Sequence, residues 1–341
     1  MFWHFLVKNA RVHRGLKYLV VLVFLVALAY YLPTGYLLVM PGEAIDLTDV
    51  VQVTNGVKEP GSFMMTTVST RKANLLLFLY ALLDPRAELE RERDFLPPGK
   101  DLEDYLEITE KMMRESQAIA KVVALRVAGY PGARLEGQGS RVVEILPGSP
   151  AEGKLREGDI IIRADGSRVR MADELVSIVS ARDPGTPVQL VVRRGDRQVA
   201  VNVKTVKHQG RAVVRILVET HGLQAITPIP VTIDSGRVLG PSAGLMFTLE
   251  IIDQLDGEEN LTGGKTISGT GTISSDGSIG PIGGVKQKII AAERAGARVF
   301  LVPKENVQEA RKVAKKIELV PVGDVHQAVE YLRGHTANNA G

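Results

Sequence analysis

Two residues near helix starts, a serine and a lysine, carry the chemistry this chain could perform. Ser242 stands in GPSAGLM, residues 240–246, behind a Gly-Pro turn. The residues after it place Leu245, Met246, Leu249, Ile252 and Leu255 on one helical stripe. Three readings of Ser242 fit this setting. Serine is a favoured N-cap, worth on the order of 1 kcal/mol. A glycine-rich helix start can also cradle a phosphate. The third reading is a nucleophile, because free helix amides and the positive dipole end suit an oxyanion. By position those amides are Gly240 and Ala243, and Gly240 and Gly244 leave room for a peptide backbone.

A nucleophilic serine needs a base. His221 is the nearest histidine in sequence, but no motif surrounds it. The run GGVKQKIIAAERAG, residues 283–296, offers a lysine instead. With Val285 at zero and ~100° per residue, Lys286, Gln287, Glu293 and Arg294 fall between about 80° and 200°. Lys288 falls at about 300°, among Val285, Ala291, Ala292 and Ala295. It is the one charged residue on the apolar side. Burial there would lower its pKa and supply a neutral amine as base. The competing reading is a stem lying on the apolar face while the head reaches water.

The remaining composition narrows the chemistry. The 341 residues suggest two or three domains, and 45% hydrophobic against 24% charged residues is enough for packed cores. With 42 basic and 39 acidic residues and no basic cluster beyond residue 17, a nucleic-acid partner is not expected. There are no cysteines, which removes thiolate sites and disulfides. Histidines 4, 13, 208, 221, 326 and 335 include no pair at i, i+4 spacing, so no metal and no cofactor is expected.

The elements that would position the two residues follow from patterning. LKYLVVLVFLVALAYYLPTGYLLVM, residues 16–40, is the most apolar segment. Lys8, Arg11, Arg14 and Lys17 precede it, and no Lys or Arg follows until Lys58. The pattern predicts a cytoplasmic basic segment over 1–17 and a transmembrane anchor in a lipid bilayer over 18–40, with the rest of the chain outside; the rival reading is a signal peptide cleaved at the small-x-small pattern Ala27-Leu28-Ala29. Residues 41–127 read as an extracytoplasmic α/β region. Within it are short strands to residue 72, a buried core helix in ANLLLFLYALLDP and a long helix over 101–128. GEENLTGGKT, residues 257–266, looks like a nucleotide loop, but Glu259 stands where that motif needs glycine.

Residues 128–207 resemble a PDZ domain. LPGSPAEGKLREGDIIIRADGSRV, residues 146–169, carries the resemblance through its SPA, GD and DG elements. The resemblance implies a peptide-binding fold, with the carboxylate loop near LEGQGSRVVEI, residues 135–145.

GPSAG, followed by GTGTI, then SIGPIGGVKQK, AAERAGA and VFLVP, resembles the proteolytic domain of Lon-type proteases. The resemblance spans 208–334, leaving 335–341 as a tail, and implies an α+β fold like ribosomal protein S5 domain 2. It implies Ser242 as nucleophile, Lys288 as general base and Thr270 as a residue that orients the lysine amine. Full-length Lon enzymes carry an acidic residue where this chain has Leu239, and histidines on a preceding strand where VTIDSG has none. Lon-type domains form rings, so a homo-oligomer is also implied. The order anchor, PDZ, Lon-type domain is similar to that of PDZ-containing Lon-like membrane proteins of Gram-positive bacteria. The expected activity is an ATP-independent, membrane-tethered serine endopeptidase on peptides or flexible proteins; a non-catalytic PDZ adaptor is the alternative.

Overall fold

The apolar run that follows the first helix is a strand. The structure, a computed structural model, describes residues 2–96, 101–208, 211–257 and 260–337, with side chains from Lys17 to His335. The helix Phe2–Tyr31 stops before Pro33, and Pro33–Asp46 is extended. Proline disfavours the helical conformation in the residue before it, which explains the stop. Leu37 and Leu38 are fully buried in a protein core. The expected span over 18–40 is therefore not formed: among the described residues no helix is long and apolar enough to cross a membrane. The fold class is corrected to mixed α/β without the transmembrane helix expected over 18–40, and the expected orientation of the chain rested on that span. The side chains of the basic segment up to residue 16, and those of the tail beyond His335, lie outside the described ones.

The described chain divides into two units, 1–116 with 232–341, and 117–231. The first unit is built on a six-stranded sheet in the order Glu318–Val322, Val299–Pro303, Thr266–Gly269, Ser62–Asn74, Pro33–Asp46, Glu88–Arg91. Residues 41–96, expected in a region of their own, instead supply strands to the sheet of the C-terminal part. Thr266–Gly269 pairs in parallel with Ser62–Met65 on one side and with Val299–Leu301 on the other. Parallel neighbours need a crossover. The helix Val285–Arg294 provides it between Thr266–Gly269 and Val299–Pro303, packing Val285, Ile289 and Ala292 against Phe300 and Val302. The helix Gly244–Leu255 is buried from Gly244 to Gln254.

The helix Leu75–Leu83 forms, capped by Asn74, whose Oδ1 accepts the Leu77 N–H at 2.9 Å. It buries no residue, contrary to the expected core helix. Nine consecutive apolar residues specify no single inward face, so patterning could not tell buried from exposed.

The second unit holds a five-strand path, Arg197–Lys204, Pro187–Arg194, Ile160–Ala164, Ser140–Ile145, Ile216–Thr220. Val142, Ile161, Leu175, Leu190, Val192 and Val203 fill its core. Asp165 and Gly166 both have positive φ, 49° and 79°, as a two-residue hairpin turn requires. Asp159, buried, accepts two 2.7 Å hydrogen bonds from the Arg194 guanidinium. The last strand, Ile216–Thr220, lies beyond the expected 128–207 range and pairs with Ser140–Ile145.

Candidate active site and peptide groove

Gly240 has φ +88°, a conformation open to glycine and strained for other residues. It hands the chain to a 3₁₀ turn, Pro241–Ala243, which runs straight into the helix Gly244–Leu255. Ser242 sits in that turn, half-buried. Neither helix start has a side-chain cap, so the Ser242 hydroxyl is not spent on capping. The Ser242 carbonyl accepts the Gly271 N–H at 2.8 Å and the Thr270 hydroxyl at 3.0 Å. These bonds tie the turn to the end of the strand Thr266–Gly269.

Lys288 lies one turn into its helix, which begins after left-handed Gly284. Its side chain crosses the apolar interior to the serine: Nζ is 2.6 Å from Ser242 Oγ and 2.9 Å from Thr270 Oγ1. Lys288 is 3% exposed, and burial lowers its pKa from 10.5 to about 7. A neutral amine at 2.6 Å can accept the serine proton. Thr270, buried, receives one Nζ–H and donates its own hydroxyl to Ser242, which fixes the direction of the remaining nitrogen lone pair.

The structure thus brings together Ser242, Lys288 and Thr270, three residues drawn from three elements. Ala243 follows Ser242 in the same turn, buried. The Gly240 amide is engaged elsewhere: it donates to the Thr109 carbonyl at 3.0 Å. Gly244 serves packing, since a Cβ there would lie 2.6 Å from both Ile273 Cγ2 and Ser116 Oγ. Gly240, by contrast, has open space where a Cβ would stand. His221, considered as a base, belongs to the second unit, with Nδ1 2.7 Å from Arg141.

Sequence reasoning missed Ser116, whose hydroxyl donates to the Pro241 carbonyl at 3.0 Å. The signal was present. Met113, Ser116, Ala120 and Val123 form one buried stripe of the helix Leu102–Val127, and Ser116 is its polar member. Among the described residues no cluster of His, Asp or Glu could hold a metal ion. In the segment that resembles a nucleotide loop, Glu258 and Glu259 lie outside the described residues. Gly263 and Gly264 there form a turn into a strand, whereas a phosphate loop opens a helix.

In the second unit, a cleft of about 860 Å³ lies between the helix Ala172–Ser180 and the edge strand Ile216–Thr220. Leu175, Val176, Val179, Ala212, Ile216 and Val218 line it, and Arg211 and Arg215 stand at its border. The sheet edge beside the cleft is strand 216–220, preceded by Arg211–Arg215, whereas the strand that follows the carboxylate loop expected near 135–145 is not an edge. The order of strands in space decides this, because Ser140–Ile145 is paired on both sides.

Two protein-family models match parts of the chain. Residues 226–332 match the Lon protease C-terminal proteolytic domain, and residues 129–205 match the PDZ domain. Similar curated proteins include the Lon protease of Rickettsia bellii, 38% identical over 55 residues, 15% of this chain and 7% of that one. Those of Chloroflexus aggregans and Mycoplasma mobile are 35% identical over 93 residues (26% and 11% of the two chains) and 36% over 104 (29% and 12%). The chain thus spans only 7% to 12% of the length of these relatives. A solved PDZ domain of an SdrC-like protein from Listeria monocytogenes is 22% identical with a TM-score of 0.23, covering 24% of this chain and 87% of that one. The chain carries a PDZ domain and the C-terminal proteolytic domain of the Lon serine proteases.

Proposed function

We propose that the chain is an ATP-independent serine endopeptidase acting through a Ser242–Lys288 dyad. The observation that carries the reading is the 2.6 Å approach of a buried lysine amine, with pKa near neutrality, to a half-buried serine hydroxyl. Neutral Lys288 takes the Ser242 proton as Oγ attacks the scissile carbonyl. Thr270 holds the amine in line. Backbone amides of the 241–243 turn, Ala243 among them, receive the developing oxyanion. The lysine ammonium then returns its proton to the leaving amine, which gives an acyl-enzyme. A water molecule, deprotonated by Lys288, attacks the acyl carbon, and the proton passes back to Ser242 as the product acid leaves.

An ATP-independent peptidase of this kind acts on flexible or extended chains. The PDZ cleft adds an extended peptide to the 216–220 edge, its apolar side chains held by Leu175, Val176 and Ile216. The test is turnover of an unfolded protein without nucleotide by the full chain, beside Ser242→Ala. The variant is expected to lose turnover by at least ~100-fold. Equal turnover by both would remove the dyad, and no turnover by either would leave the adaptor reading.

A further inference from the structure

We infer that Ser116 is a positioning residue of the peptidase reaction, acting through the peptide bond that joins Pro241 to the nucleophile. The inference rests on the dyad reading above. Ser116 lies outside the 226–332 match, 125 residues from Pro241 in sequence.

The Pro241 carbonyl accepts two hydrogen bonds. One comes from the Gly244 N–H and closes the 3₁₀ turn; the other comes from the Ser116 hydroxyl at 3.0 Å. A trans peptide unit is planar, with its C=O and N–H pointing in opposite directions. A donor that fixes the Pro241 carbonyl therefore also fixes the Ser242 N–H. The proline ring sets its own φ, so ψ of Pro241 is the soft dihedral that would turn this plane. The Ser116 bond acts on that dihedral.

The neighbouring plane is held from the same helix. Thr109, two turns before Ser116, accepts the Gly240 N–H through its carbonyl at 3.0 Å. With the Gly240 amide turned to Thr109 and Pro241 lacking an N–H, the first amides of the turn are those of Ser242 and Ala243. Ser116 is 3% exposed, and its hydroxyl packs where Gly244 lacks a Cβ, so the helix holds the loop by direct contact. The role assigned is to aim the Ser242 N–H at the oxyanion while its Oγ faces Lys288.

The test uses the full chain with Ser116→Ala and Ser116→Cys; cysteine keeps the shape but is a weak donor. Three quantities are measured: kcat and KM on a fluorogenic peptide, their pH profile, and affinity for a peptide boronate beside the matching peptide amide. The boronate forms a tetrahedral adduct on Oγ and places an oxygen at the oxyanion position; the amide does not. Both variants are expected to lower kcat on the order of 10- to 100-fold. Boronate affinity is expected to fall in parallel, with KM, amide affinity and the pH midpoint unchanged. Full kcat and boronate affinity in both variants would overturn the inference. So would a kcat loss that only tracks the unfolded fraction, read by circular dichroism. If Ser242→Ala keeps wild-type turnover, the dyad reading fails first, whatever Ser116 does.

Discussion

Replacing Lys288 by methionine is expected to abolish activity and to stabilise the protein at neutral and acidic pH. Methionine follows nearly the same path through the apolar interior without a charge. The native pKa of about 7 against 10.5 for a free lysine corresponds to about 5 kcal/mol of penalty on the ammonium form. The sign follows from proton counting. Between pH 7 and 10.5 the unfolded chain binds more protons at this site than the native one, so stability rises with pH across that window. Below pH 7 the penalty is fully present, and above 10.5 it is gone. Methionine removes the penalty but also the contacts to Ser242 and Thr270, worth about 1 kcal/mol each. The net gain is about 3 kcal/mol at pH 6, turning into a loss of about 2 kcal/mol above pH 10.5. Urea unfolding of both proteins, followed by circular dichroism at pH 6, 8 and 10.5, measures the difference. Other titrations are common to both chains and cancel. A difference that stays constant over this range, or a variant less stable at pH 6, would refute a buried amine held near neutrality.

The same titration is expected to set the rate. kcat/KM is expected to rise with pH to a midpoint near 7, where Lys288 becomes neutral, and Lys288→Arg is expected to show no such rise at any pH. A midpoint above 9 would contradict the role of burial. Thr270→Val removes the hydroxyl that directs the amine while keeping the volume; kcat is expected to fall on the order of tenfold with KM unchanged. On the nucleophile's own helix, Glu250 is buried and its pKa is raised by burial to about 7. Its raised native pKa makes stability fall as pH rises from 4.5 to about 7. Glu250→Gln is expected to flatten that fall by up to about 3 kcal/mol in pH-dependent unfolding.

The dyad was legible because each member broke a local rule. Lys288 is a charge on an apolar arc, and Ser242 follows a Gly-Pro turn with glycine two residues later. Ser116 broke the same kind of rule on its helix. Its meaning depended on a loop more than 120 residues away, which no local pattern contains. The Gly240 amide was misassigned for a related reason: position nominates a donor, but the Thr109 carbonyl occupies it. Residues 33–40 were misread because an apolar run buried in a central strand and one buried in lipid have the same composition. The pairing of Ser62–Met65 with Thr266–Gly269 left no trace in either segment alone. The turn chemistry of the second unit, local by nature, was read directly from its Asp-Gly pair.

The interleaved sheet has a consequence for how such an enzyme comes into being. Thr266–Gly269 finds one of its neighbours about two hundred residues earlier in the chain, on the far side of the inserted unit. Closing so long a loop is slow, and a ribosome delivers the N-terminal strands well before their partners. The strand Thr266–Gly269 and the helix that bears Lys288 emerge only after the inserted unit 117–231. A half-made chain therefore holds neither the base nor the sheet that aims it. The nascent chain is expected to stay inert toward its neighbours until residues 266–288 have emerged and folded onto the earlier strands.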